Sequence, residues 1–122
     1  MTPPPSSDDE RDERIRTEVI VDAYTPDEQA LGWCYYLERK LTFSFQARCI
    51  ERRTISPLQE DEVVRVVGMI DEVIQEMFVA IKWMDRRFGV PLAQLEPVDP
   101  DPNTKEAIND WHYWEGDGTR IR

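Results

Sequence analysis

Four carboxylates stand where a helix edge and a strand connection could bring them onto one hard cation: Glu38, Asp71, Glu72 and Glu76. Calcium takes about six to eight oxygen ligands, mostly carboxylate and carbonyl, so acids from separate elements suit it. Glu38 falls near the edge of a helical apolar stripe. Asp71, Glu72 and Glu76 fall in the polar connection between two strands. The competing account of these residues is a solvated loop and a glutamate whose stem lies along apolar surface.

A second set is more local. Asp99, Asp101, Asn103 and Asp110 copy the first, third, fifth and last ligand positions of an EF-hand loop. The departures are several. Thr104 stands where a glycine makes the sharp turn, Pro100 and Pro102 stiffen the loop, and Asp110 is one methylene shorter than the usual glutamate. A proline-rich linker followed by a helix cap accounts for the same residues.

Other chemistry finds less support. The chain has one histidine, His112, and two cysteines, Cys34 and Cys49. A thiolate pair could use them, but periodicity turns both cysteines to apolar faces, where thiols are inert. A structural zinc site wants four close imidazole or thiolate ligands, and these three are scattered. No Gly-x-Ser-x-Gly or phosphate-cradling glycine loop is present. The expectation is a protein that is not an enzyme.

The elements that must position the acids follow from pattern. Residues 1–10, MTPPPSSDDE, read as a disordered tail. Ile15, Val19, Ile20 and Ala23 predict a first helix over Asp12 to Ala23, with the β-branched run Val19-Ile20-Val21 opposing its last turn. Thr25-Pro26-Asp27-Glu28 is a capping box opening a second helix. Its buried face is Ala30, Trp33, Cys34, Leu37 and Leu41, and Gly32 weakens it slightly. After Leu41 the period becomes two, predicting strands over 43–49, 63–67, 77–83 and 88–92, then one helical turn at Leu92–Leu95. Asn103 or Thr104 caps a last helix, with Ala107, Ile108, Trp111 and Trp114 on its apolar face and its acids and His112 outward. The predicted fold is α+β: a small antiparallel β-barrel or strongly bent sheet, SH3-like, with N-terminal helices and a C-terminal helix as covers. Residues 11–118 form the single domain, and 119–122 a short tail.

Composition bounds the partners. Of 122 residues 25 are acidic and 15 basic, a net charge of −10. That field repels nucleic acid and anionic membrane and favours small cations or a basic protein partner. Met1-Thr2-Pro3-Pro4-Pro5 leads into acids and not into an apolar signal segment. Two cysteines that read as buried thiols, not as a bridge, fit a reducing compartment, so the expectation is the cytoplasm.

Several runs carry a resemblance. Val21-Asp22-Ala23-Tyr24, Glu28 through Glu38 (EQALGWCYYLE), Ser56-Pro57-Leu58, Val67-Gly68-Met69, Glu76-Met77-Phe78-Val79, Val90 through Glu96 (VPLAQLE) and Ala107 through Trp114 (AINDWHYW) resemble the small bacterial calcium-binding proteins of the CcbP-like family, in order, over residues 12 to 115. The resemblance implies a cytosolic acidic calcium binder without EF-hands, a buffer or sensor with ligands on the helix and strand loops, and no enzyme activity. Where the family has an acid after the helix motif, this chain has Arg39, a cation beside Glu38 that weakens metal affinity. The resulting expectation is a calcium-binding, non-catalytic protein. Its rival is an acidic, metal-free interaction module of the same fold that presents its surface to a basic partner.

Overall fold

The computed structural model describes residues 7–70 and 76–117. Helix α1 (Ser7–Arg14) runs into a π-helical stretch, Ile15–Val19, closed by the Ile20 N–H on the Ile15 carbonyl at 3.0 Å. This helix therefore starts inside the span expected as a disordered tail and stops short of Ala23. Ile15 and Val19 are its buried anchors, and the β-branched residues that follow leave the helix as their crowded rotamers predict.

Helix α2 (Pro26–Lys40) begins where its sequence signal places it. The Thr25 hydroxyl accepts from the Glu28 N–H at 3.1 Å, and Pro26 occupies the first turn. Gly32 does more here than weaken the helix. A Cβ at this position would lie 2.2 Å from the Val19 carbonyl oxygen, so the absent side chain is what lets the end of the first helix cross α2. Gly32→Ala forces two backbones apart. It is expected to destabilise the fold by ~1–3 kcal/mol in urea denaturation, against the ~1 kcal/mol gain of the same change on an open helix.

The strands are β1 (Phe45–Cys49), β2 (Val63–Met69), β3 (Phe78–Trp83), β4 (Arg86–Pro91) and β5 (Leu95–Pro97). They form one antiparallel sheet in the order β4-β3-β2-β1-β5. The sheet is open, with β4 and β5 as its edges, so the barrel alternative is not formed. Four strands follow the expected runs. The fifth has no counterpart among the expected strands, and its first residue, Leu95, was expected in the helical turn, because three residues ending in proline give no alternation to detect. It pairs with β1 through Ala47 opposite Pro97 and Cys49 opposite Leu95. A short 3-10 turn, Leu92–Gln94, precedes it.

Helix α3 (Pro102–Asp117) lies against α2 and the β5 end of the sheet. Trp33 of α2 meets Trp111 edge-on at 5.1 Å and Trp114 at 5.8 Å, and all three are buried. The tryptophans are core, as their spacing implies. Inner strand residues Ala47, Cys49, Val64, Val66, Val79, Ile81 and Val90 complete the interior.

Candidate metal centre

Of the four acids expected to converge, two are described. Asp71 and Glu72 lie outside the described residues. Glu38 is exposed on α2, and among the described residues it makes no hydrogen bond or ion pair. The adjacent Arg39 turns its guanidinium to the Tyr36 ring, 5.6 Å from the centroid.

Glu76 stands immediately after the undescribed stretch, half-buried, and it has a partner. Arg53 grips both of its oxygens, with Nη2 to Oε1 at 3.2 Å and Nη1 to Oε2 closing the fork. That hydrogen bonding raises the Arg53 pKa above its usual value. The nearby charges of Glu51 and Glu115 push the same way. Arg53 thus sits among three acids as their intrinsic counter-ion. Sequence reasoning singled out Arg39 and missed Arg53, which lies 23 positions from Glu76 and has no local signal.

The second set is not a metal loop. Asp110 was expected to face outward and is fully buried. Arg14 holds it through two contacts, Nε to Oδ2 at 2.8 Å and Nη2 to Oδ1 at 2.6 Å. Arg11 Nε comes within 3.3 Å, and the Tyr36 hydroxyl donates at 2.8 Å. Burial, and then the bond to Asp110, push the Tyr36 hydroxyl well above the ordinary phenol range. Asp101, and not Asn103 or Thr104, caps α3: its Oδ1 accepts from the Thr104 N–H at 2.7 Å, and Oδ2 accepts from the Thr42 hydroxyl. The Thr42 bond, then those from Thr104, lower its pKa. Asp99 lines an open groove of about 400 Å³ with Asp101, Thr42 and Ser44. Asn103 is exposed. The linker-and-cap account fits this segment.

Two further expectations for α3 change. Glu106 is not free but bound to Lys40 at 2.9 Å, which lowers its pKa, with Arg14 adding to the effect. The His112 Nε2 lies 2.7 Å from the Leu95 carbonyl oxygen, tying the helix to β5 instead of facing water. Both occur because α3 packs against α2, which brings Lys40 to Glu106, and against β5, which brings the Leu95 carbonyl to His112. Cys34 and Cys49 are buried and unbridged.

Among the described residues, no group of three or more His, Cys, Asp or Glu side chains is arranged to hold a metal ion. The donor chemistry of the remaining set nevertheless fits a hard cation. Glu76 follows Asp71 and Glu72 by five and four positions in sequence, and its carboxylate is already held by a positive charge. Among the described residues the Glu38 carboxylate has no hydrogen-bond or ion-pair partner. Among the described residues no helix is long and apolar enough to cross a membrane.

Comparison with known proteins converges on one group. Residues 13–115 match the family model Calci_bind_CcbP, described as calcium binding. The crystal structure of CcbP from Anabaena is 35% identical to this chain over 99% of it and 100% of the other, with a TM-score of 0.81. A calcium-binding protein in its calcium-binding form is 36% identical over 94% of this chain and 96% of that one, with a TM-score of 0.82. No curated protein matches the sequence.

Proposed function

Because this chain belongs to the CcbP calcium-binding family, we propose that it binds calcium without catalysis, as a cytoplasmic buffer or sensor whose carboxylate ligands lie outside an EF-hand. The observation that carries this reading is the family match across residues 13–115, nearly the whole folded chain. The ligands assigned are Glu38, Asp71, Glu72 and Glu76. Bound calcium would supply two positive charges to acids that otherwise repel one another. Glu76 takes part only by exchanging Arg53 for the ion, so Arg53 sets the affinity of the site. The buried thiols of Cys34 and Cys49 accord with a reducing compartment.

Isothermal titration with calcium, with magnesium as control, tests the proposal. Saturable binding of calcium, weakened about tenfold or more by Glu76→Gln, is the expected result. A ligand that binds only the folded state raises stability by mass action, about 2.7 kcal/mol at a hundred times its Kd. The melting temperature is therefore expected to rise in millimolar calcium. No heat and no shift would sink the proposal.

One observation favours a second reading, the metal-free acidic module: Arg53 already neutralises Glu76 without any ion. Under that reading Glu76→Gln leaves the melting temperature indifferent to calcium, because the parent is indifferent too.

A further inference from the structure

A protein of net charge −10 carries a row of cations on the outer face of its sheet with no acid paired to it among the described residues. The register sets Arg65 of β2 opposite Lys82 of β3, and Lys82 opposite Arg87 of β4. Gln46 of β1 continues the row beside Arg65. All four side chains are exposed, as is Arg86 at the adjoining turn. Among the described residues the row makes one side-chain hydrogen bond, from Arg65 to the Ser44 hydroxyl, at 3.2 Å. Among the described residues, Lys82, Arg86 and Arg87 form no ion pair. Arg14, Lys40, Arg48 and Arg53, by contrast, are each matched to acids.

Like charges set directly opposite across strands are destabilising. Three such positions in succession are an arrangement that folding alone does not favour. Charges on an edge strand guard against self-pairing, which accounts for Arg86 and Arg87 on β4. It does not account for Lys82 and Arg65, which lie on central strands.

The surroundings define a shallow site. Lys82, Arg86 and Arg87 line an open cavity of about 290 Å³ with Val67 and one acid, Asp85. Arg87 reaches across Gly68, where a Cβ would lie 3.5 Å from its Nη2. Val63, 52% exposed, flanks Arg65 along β2, and Met84, 76% exposed, stands in the β3–β4 turn. Cations beside open apolar side chains match a ligand carrying both carboxylates and aliphatic groups. The patch also lies at the β3–β4 turn, the opposite end of β3 from Glu76. Glu76 therefore does not share it.

We propose that this face docks an acidic, extended segment of a partner protein, its carboxylates on Arg65, Lys82 and Arg87 and its apolar side chains against Val63 and Met84. Charge complementarity selects this occupant. A long polyphosphate chain would meet the repulsion of the whole molecule, because its charge extends well past four cations. A short peptide needs only a few carboxylates within the local field, and beyond about 8 Å salt screens the rest.

The test is fluorescence anisotropy with a labelled octapeptide of alternating glutamate and valine, on the full chain, at low salt. A ten-nucleotide oligothymidylate and inorganic tripolyphosphate serve as competitors. The expected result is saturable binding that weakens as salt rises. The Arg65→Gln/Arg87→Gln variant should bind about tenfold more weakly, while Arg52→Gln, on an exposed loop elsewhere, binds as the parent does. The double variant should melt no lower than the parent, since it relieves opposed charges. The proposal is overturned by absence of peptide binding, by equal binding in the double variant, by a lower melting temperature in it, or by either phosphate competitor binding more tightly than the peptide.

Discussion

Replacing Asp110 with alanine is expected to remove about 3–5 kcal/mol of stability, the largest loss from any single polar side chain in this fold. The carboxylate is fully buried and receives the Arg14 fork, the Tyr36 hydroxyl and the close approach of Arg11. It thereby joins three elements, α1, α2 and α3. Alanine would strand a guanidinium that is only 20% exposed, together with a buried phenol. Leaving such groups without a partner is what makes a broken buried pair costly. Asp110→Asn keeps an acceptor for Tyr36 but loses the charge facing Arg14, so its loss should be smaller. Urea denaturation measures both, and hydrogen exchange should show α1 losing protection first. A loss under about 1 kcal/mol for the alanine variant would mean that the network does not hold α1 in place. Folded Asp110→Asn should bind calcium as the parent does. That outcome separates a structural acid from the metal ligand its EF-hand-like spacing imitates.

What could be read in advance divides along the range of the forces involved. Signals confined to a few neighbouring residues were legible. Thr25-Pro26-Asp27-Glu28 located the start of α2, and alternation located β1 through Cys49. The stripe of Ala107, Ile108, Trp111 and Trp114 identified the core face of α3. The roles that stayed hidden depend on partners far along the chain. Asp110 meets Arg14 across 96 positions and Tyr36 across 74. An acid off a helix's apolar stripe reads as solvated unless another element covers that side, and here α1 does. Gly32 looked like a weak point because its crossing partner, Val19, belongs to a different helix. At the candidate site the acids were visible by composition. Their competitor was not, because nothing near Arg53 in sequence points to Glu76.

Arg53→Gln is expected to tighten calcium binding by roughly thirtyfold. A unit charge about 4 Å from a divalent ion costs about 2 kcal/mol even in the dielectric of water, and each 1.4 kcal/mol is about tenfold in affinity. Arg53 is fixed on Glu76 through both oxygens, so a ligand acid and its resident cation must part before the ion can replace the guanidinium. Glutamine removes the charge and keeps much of the side chain's volume. Both partners are about a third exposed or less, so the metal-free protein should lose only about 1 kcal/mol, near the upper end for such pairs. Arg39→Gln is the informative companion. Its guanidinium lies over Tyr36 and forms no ion pair with Glu38, so its removal should change affinity by several-fold less. Titration calorimetry on the two variants ranks them directly. If Arg39→Gln gave the larger gain, the ion would be meeting its competing charge on α2, and the assignment of Glu76 as a ligand would be lost. If neither variant changed the affinity, no arginine would gate the site, and the exchange at Glu76 would be discarded.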